Sequence, residues 1–187
     1  ETDWISTFFS AENHYGRMTA DALGAEYRVV SASGWGLVSG WDNDPRCTLA
    51  PCYTQVCGLA AGERNAALGA QQPYDFAAWP ADAVILNLGT NDCFGILFSG
   101  TPGELERFPQ GYEALLVQIR ACNGPKAHIV CALGTMNYYL YHDIVCALES
   151  YRAKTGDSNL SLLRFSPISP TDGLGADGHP SLETHKK

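Results

Sequence analysis

The sequence predicts a three-layer α/β domain with a mostly parallel sheet, and three features carry that prediction. Short apolar runs of strand length end in glycine turns, stretches of helical periodicity separate them, and no repeat, linker or low-complexity tract interrupts the alternation. At 187 residues the chain suits one domain with its own core.

Residues 11–23 place Tyr15, Met18, Thr19, Ala22 and Leu23 on one helical face before a stop at Gly24. Residues 27–33 (YRVVSAS) read as a strand that delivers the turn Gly34-Trp35-Gly36. Residues 40–58 are turn-rich and cysteine-bearing, and 59–71 are Ala-rich with a weak helical pattern. Residues 83–88 (AVILNL) are nearly continuous in apolar character, as expected of a parallel strand covered on both faces, and run into Gly89-Thr90-Asn91-Asp92. A helix over 104–122, with Tyr112, Leu115, Leu116 and Ile119 on one face, leads to a strand over 128–133 that ends at Gly134. A helix over 140–154, a strand over 160–165 and a last helix opened by Pro180 complete the alternation.

Hydrophobic residues make up 45% and charged residues 17%, which excludes a disordered, collagenous or coiled-coil chain. The net charge of −8 leaves no basic surface for nucleic acid or an anionic membrane, and no apolar run approaches the roughly 20 residues that span a bilayer. The start at Glu1 reads as a processed or cut end, and the stop at Lys186-Lys187 falls midway through the expected closing helix. The expectation is therefore a single domain over 1–187, truncated at both ends.

Seven cysteines point to an oxidising compartment and hence to secretion, with Cys47, Cys52 and Cys57 in local disulfides and one thiol left over. The competing reading is buried free thiols, most plausibly Cys131 and Cys146. The C-x4-C-x4-C spacing has no nearby His or second CxxC pair, so no metal site is expected. Asn159-Leu160-Ser161 is a glycosylation acceptor pattern.

Strand ends deliver Gly34, Gly36 and Asn91, and His179 follows the last strand. A glycine amide and an asparagine amide can donate to one developing oxyanion, and a histidine can act as general base for a hydroxyl nucleophile. Trp35, Trp41, Tyr138, Tyr139 and Tyr141 follow strand ends where a sugar could stack, Trp35 and Tyr138 being the chosen candidates. Plain packing is the competing reading for each aromatic, a tight turn for the glycines, and a helix cap for Asn91 and above all for Asp92.

ENHYG at 12–16, SGWGL at 33–37, LGTND at 88–92, CALGTM at 131–136 and GADGHPSLETHKK at 175–187, in that order, resemble the SGNH (GDSL-type) hydrolases. The closer likeness is to acetyl-polysaccharide esterases of the second carbohydrate esterase family, over nearly the whole chain. The resemblance implies an oxyanion hole from Asn91 and Gly36, with Gly34 second, and His179 as the base. The usual Asp three residues before the His is Ala176 here. Members of the acetyl esterase group dispense with that Asp and orient the His through a backbone carbonyl, which implies a Ser-His dyad with Asp177 uninvolved.

The resemblance also implies a Gly-Asp-Ser block ahead of ENHYG, on a strand between those at 27–33 and 83–88. No such block follows Glu1. Gly156-Asp157-Ser158 lies at the wrong end of the last strand, and Ser6 and Ser10 lack the Gly-Asp context. The expected function is therefore a secreted, cofactor-free carbohydrate deacetylase acting on acetylated polysaccharide, its nucleophile supplied by a companion segment upstream. The rivals are a catalytically silent SGNH-like subunit that binds glycan or serves structurally, and a lipase or thioesterase of the same fold.

Overall fold

The computed structural model of the chain describes residues 10–99 and 103–187. Among the described residues the fold is α/β, with three parallel strands, β1 (Ala83–Asn87), β2 (His128–Leu133) and β3 (Leu160–Arg164), in the order β1-β2-β3. The chain divides into two compact units, one of Val30–Leu133 with Tyr138–Arg164 and the other of Glu1–Val29, Gly134–Asn137 and Phe165–Lys187.

The first unit holds the sheet. Two short helices, α2 (Ala50–Tyr53) and α3 (Glu63–Ala67), precede β1. Helices α4 (Thr90–Ser99) and α5 (Glu104–Asn123) connect β1 to β2, and α6 (Tyr141–Thr155) connects β2 to β3. Parallel pairing demands such crossovers. Phe108, Tyr112, Leu116 and Ile119 recur every three or four residues along α5 and are fully buried, as are Ile144 and Leu148 of α6 and Ile129, Cys131 and Leu133 of β2. Burying each large apolar side chain contributes about 1.5–3 kcal/mol. Arg120 pairs with Asp157 at 2.8 Å and donates to the carbonyls of Gly124, Ala127 and Asn159, tying the end of α5 to the turn before β3.

Three expectations need correction. Residues 27–33 form no strand, because a strand needs a neighbour to take its hydrogen bonds and none of the described residues pairs with this run. Residues 83–88 are not covered on both faces: β1 pairs with β2 alone among the described residues, and Ile85 is 45% exposed. All seven cysteines are free thiols, with Cys52, Cys93 and Cys131 buried as small apolar groups and Cys57 and Cys146 exposed. Burial of Cys131 in the central strand pushes its thiol up to about 11.

In the second unit, α1 (Tyr15–Leu23) ends at Gly24, whose left-handed φ of 61° closes the helix. The C-terminal segment carries 3-10 turns at Pro170–Asp172 and Ala176–Gly178, then α7 (Leu182–His185), which is capped by the Ser181 hydroxyl accepting from the Thr184 amide at 3.3 Å. Among the described residues no helix is long and apolar enough to cross a membrane.

Candidate active site

In the sheet unit the site is built on the loop after residue 33 and on the first turn of α4. Gly89, between β1 and α4, has a φ of 130°, and a Cβ there would stand 3.1 Å from the Phe108 ring and 3.2 Å from Leu133, so only glycine permits this strand-to-helix turn. The turn presents Asn91 and Asp92. Asp92 is fully buried, and its carboxylate accepts from the amides of Leu37 at 2.9 Å, Val38 at 2.7 Å and Ser39 at 3.3 Å. Burial pushes its carboxyl up, against four amides, those of Val38, Leu37, Ser39 and Asp92 itself, that pull it down. Beyond the helix-end role expected from sequence, Asp92 anchors a loop more than 50 residues away.

That anchor fixes the glycine turn. Gly36 is buried, and a Cβ on it would overlap the Ser39 carbonyl and the Asp92 carboxylate, so glycine is required for close approach. Its amide donates to the Cys47 carbonyl at 3.1 Å and its carbonyl accepts from the Leu49 amide at 2.9 Å, a parallel bridge to Thr48. Gly34 has a φ of 77°, and a Cβ on it would stand 2.8 Å from the Trp41 ring. The Asn91 side-chain amide donates to the Trp35 carbonyl at 2.7 Å, which brings together three residues singled out from sequence: Trp35, Gly36 and Asn91. An amide NH2 carries two hydrogens, so this bond orients Asn91 and leaves it a second donor.

His179 belongs to the other unit. Its Nδ1 lies 3.0 Å from the Ala176 carbonyl oxygen, which also accepts from the His179 amide at 3.1 Å. A carbonyl only accepts, so Nδ1 carries the proton of the neutral ring and Nε2 carries the lone pair, the tautomer a general base needs. Ala176 occupies the position of the missing Asp and contributes its backbone oxygen. Asp177 is exposed, with a positive φ of 52°.

Other candidates fall elsewhere. Trp41 is 55% exposed in the glycine loop, whereas Tyr138 has the Arg164 guanidinium 4.4 Å over its ring, so one of its faces is covered. The Asn159 amide nitrogen donates to the carbonyls of Lys126 and Ala127, and its oxygen bonds the His128 ring at 2.8 Å, so attaching a glycan there would break the connection between the entries to β2 and β3. Ser158 sits in the turn before β3, the exposed Ser10 hydroxyl accepts from Asn13, and Ser6 lies outside the described residues. Among the described residues no three His, Cys, Asp or Glu side chains gather as a metal ion requires.

Known proteins resemble this chain in sequence and in fold. No family model matches the chain. It is 28% identical over 176 residues to the cellulase/esterase CelE of Acetivibrio thermocellus, covering 92% of this chain and 20% of that protein. It is 26% identical over 184 residues to the acetylxylan esterase/glucomannan deacetylase of Cellvibrio japonicus, covering 98% and 47%. Its fold matches the acetyl xylan esterase Est2A of the rumen bacterium Butyrivibrio proteoclasticus with a TM-score of 0.90 and 33% identity, over 96% of this chain and 53% of that one. A family two carbohydrate esterase from Clostridium thermocellum, solved in complex with cellohexaose, matches at 0.76 and 26% identity, over 95% and 51%. The homologues of this chain are family two carbohydrate esterases. The chain spans about half the length of the Cellvibrio and Butyrivibrio esterases and a fifth of CelE.

Proposed function

We propose that this chain is the larger part of a serine esterase domain that removes acetyl groups from polysaccharide, exported to where such polymers lie. His179 acts as general base on a seryl hydroxyl and then as acid to the departing sugar oxygen, leaving an acetyl ester on the serine that water, deprotonated by the same histidine, hydrolyses to acetate. The second Asn91 amide hydrogen, with an amide of the glycine turn, stabilises the oxyanion. Gly36 is the motif position for that amide. Its bond to Cys47 must be shared or released for it to donate, and Gly34 stands beside it as the alternative donor. Trp35 and Tyr138 are the sugar contacts.

The nucleophile is assigned to a strand from a segment upstream of Glu1. The 45% exposure of Ile85 in β1 supports that reading, since a further parallel strand beside β1 would end next to the Asn91 turn. The observation that carries the proposal is the His179 Nδ1 to Ala176 carbonyl bond, which prepares Nε2 as a base without a carboxylate. The test is acetate release from acetylated xylo-oligosaccharide by the protein with its upstream segment. The account requires release that falls by at least about 10²-fold in His179→Ala; binding of the oligosaccharide without release would instead favour a silent glycan-binding subunit.

A further inference from the structure

Two imidazoles meet the amino end of α1. His14, the residue before the helix, places Nδ1 3.2 Å from the Gly16 amide and Nε2 2.7 Å from the Tyr27 hydroxyl. His185, the last residue of α7, places Nδ1 3.4 Å from the Tyr15 amide, with its ring stacked on the Tyr15 ring at 6.0 Å. Backbone amides only donate, so both Nδ1 atoms must present lone pairs, and both rings are neutral with hydrogen on Nε2. The first-turn amides of a helix ordinarily receive Ser, Thr, Asp or Asn oxygens, which keep their lone pairs through the physiological pH range. Here both acceptors are titratable.

The surroundings disfavour imidazolium at both positions. The helix amino end carries partial positive charge. Around His14, Arg17 is committed to Asp21 at 2.9 Å, Glu12 lies near Arg17, and the facing groups from other elements are Tyr27 and His185. Around His185, Phe165 packs on Tyr15, while in the C-terminal segment Lys186 pairs with Glu183 and Lys187 with Asp172. Neither imidazole is paired with a carboxylate among the described residues. Burial lowers the pKa of both, and each histidine's charge would oppose its neighbour's, lowering His185 further.

The geometry points to an acid-sensitive double cap: on acidification His14 and His185 each gain a proton on Nδ1, turn from acceptor to donor against the Gly16 and Tyr15 amides, and release the amino end of α1. Both folded-state values lie below the ordinary histidine value of about 6.5, so the stabilisation is complete above that pH and is lost progressively as the pH falls below it. The compact unit that loosens is the one that carries His179.

The experiment is an NMR titration of the imidazoles in the full chain, with hydrogen-exchange protection of the Tyr15 and Gly16 amides followed in wild type and in the His14→Asn/His185→Asn variant. Asn places an oxygen where Nδ1 stood and does not titrate. Both histidines should show the Nε2–H tautomer at neutral pH and midpoints below about 6.5. Protection of the two amides should fall about tenfold between about pH 7.5 and 5 in wild type, the scale of losing one or two caps, and stay level in the variant. An Nδ1–H tautomer, a midpoint at or above 6.5, or an equal loss in the variant would overturn the proposal. If the variant does not fold, the wild-type tautomers and midpoints decide alone.

Discussion

The Nδ1 of His179 is bonded to the backbone oxygen of Ala176, 3.0 Å away, and not to the carboxylate of the neighbouring Asp177. A carbonyl fixes the tautomer and ring orientation as a carboxylate would, but it brings no full negative charge to stabilise the imidazolium that forms. His179→Ala should therefore lower acetyl ester turnover by at least about 10²-fold, while Asp177→Ala should change it by less than about threefold, because only the first removes proton transfer. Steady-state rates on an acetyl ester decide the point, and comparable losses in the two variants would restore an Asp-assisted triad.

Asn91 joins the strand-end turn to the Trp35 carbonyl through one amide hydrogen. If its second hydrogen serves the oxyanion, Asn91→Ala should cost roughly 10²–10³ in kcat with KM little changed. A variant that keeps its turnover and melts several degrees lower would mark Asn91 as purely structural.

Asp92 carries the opposite expectation, with stability the larger effect. Asp92→Ala strips acceptors from the buried amides of Leu37 and Ser39 and the part-buried amide of Val38, and each unsatisfied buried amide costs on the order of 1–3 kcal/mol. With about 2–4 °C of Tm per kcal/mol at this chain length, thermal melting should show a drop of at least about 4 °C. An unchanged Tm would mean that the glycine loop does not depend on this anchor.

The thiols should react in order of exposure. Cys57 and Cys146 should be alkylated first in the native protein and Cys131 last, since Cys131 is fully buried and burial holds its thiol at about 11. Mass spectrometry after timed alkylation checks this, and all seven should be modified after unfolding without any reductant. A thiol that stays blocked until reduction would return the protein to the disulfide-bonded class.

What was legible in the sequence was what neighbouring residues encode. The apolar runs at 83–88, 128–133 and 160–165 became β1, β2 and β3 because their strand character lies in consecutive side chains, and the three- and four-residue spacing of Tyr112, Leu116 and Ile119 fixed the buried face of α5. The run at 27–33 has the same local character but lacks a pairing partner among the described residues, and pairing is not a property of the run itself. The anchoring role of Asp92 is not legible because its amide partners stand more than 50 residues away, nor is Arg164 over Tyr138, because a strand end meets a loop that sequence spacing does not connect. The GTND string did contain a usable signal, an acid following the candidate oxyanion residue on a buried turn. The free thiols show where composition misleads, since a cysteine buried in a strand behaves as a small apolar side chain.

The central claim is a His179-activated serine lying upstream of Glu1. Its most direct test is labelling of the protein, with its upstream segment, by a fluorophosphonate probe, followed by peptide mapping of the modified residue. The account predicts one labelled serine N-terminal to Glu1, with labelling lost in His179→Ala. Label on Ser158 or any other serine within residues 1–187, or labelling that survives the loss of His179, would contradict it.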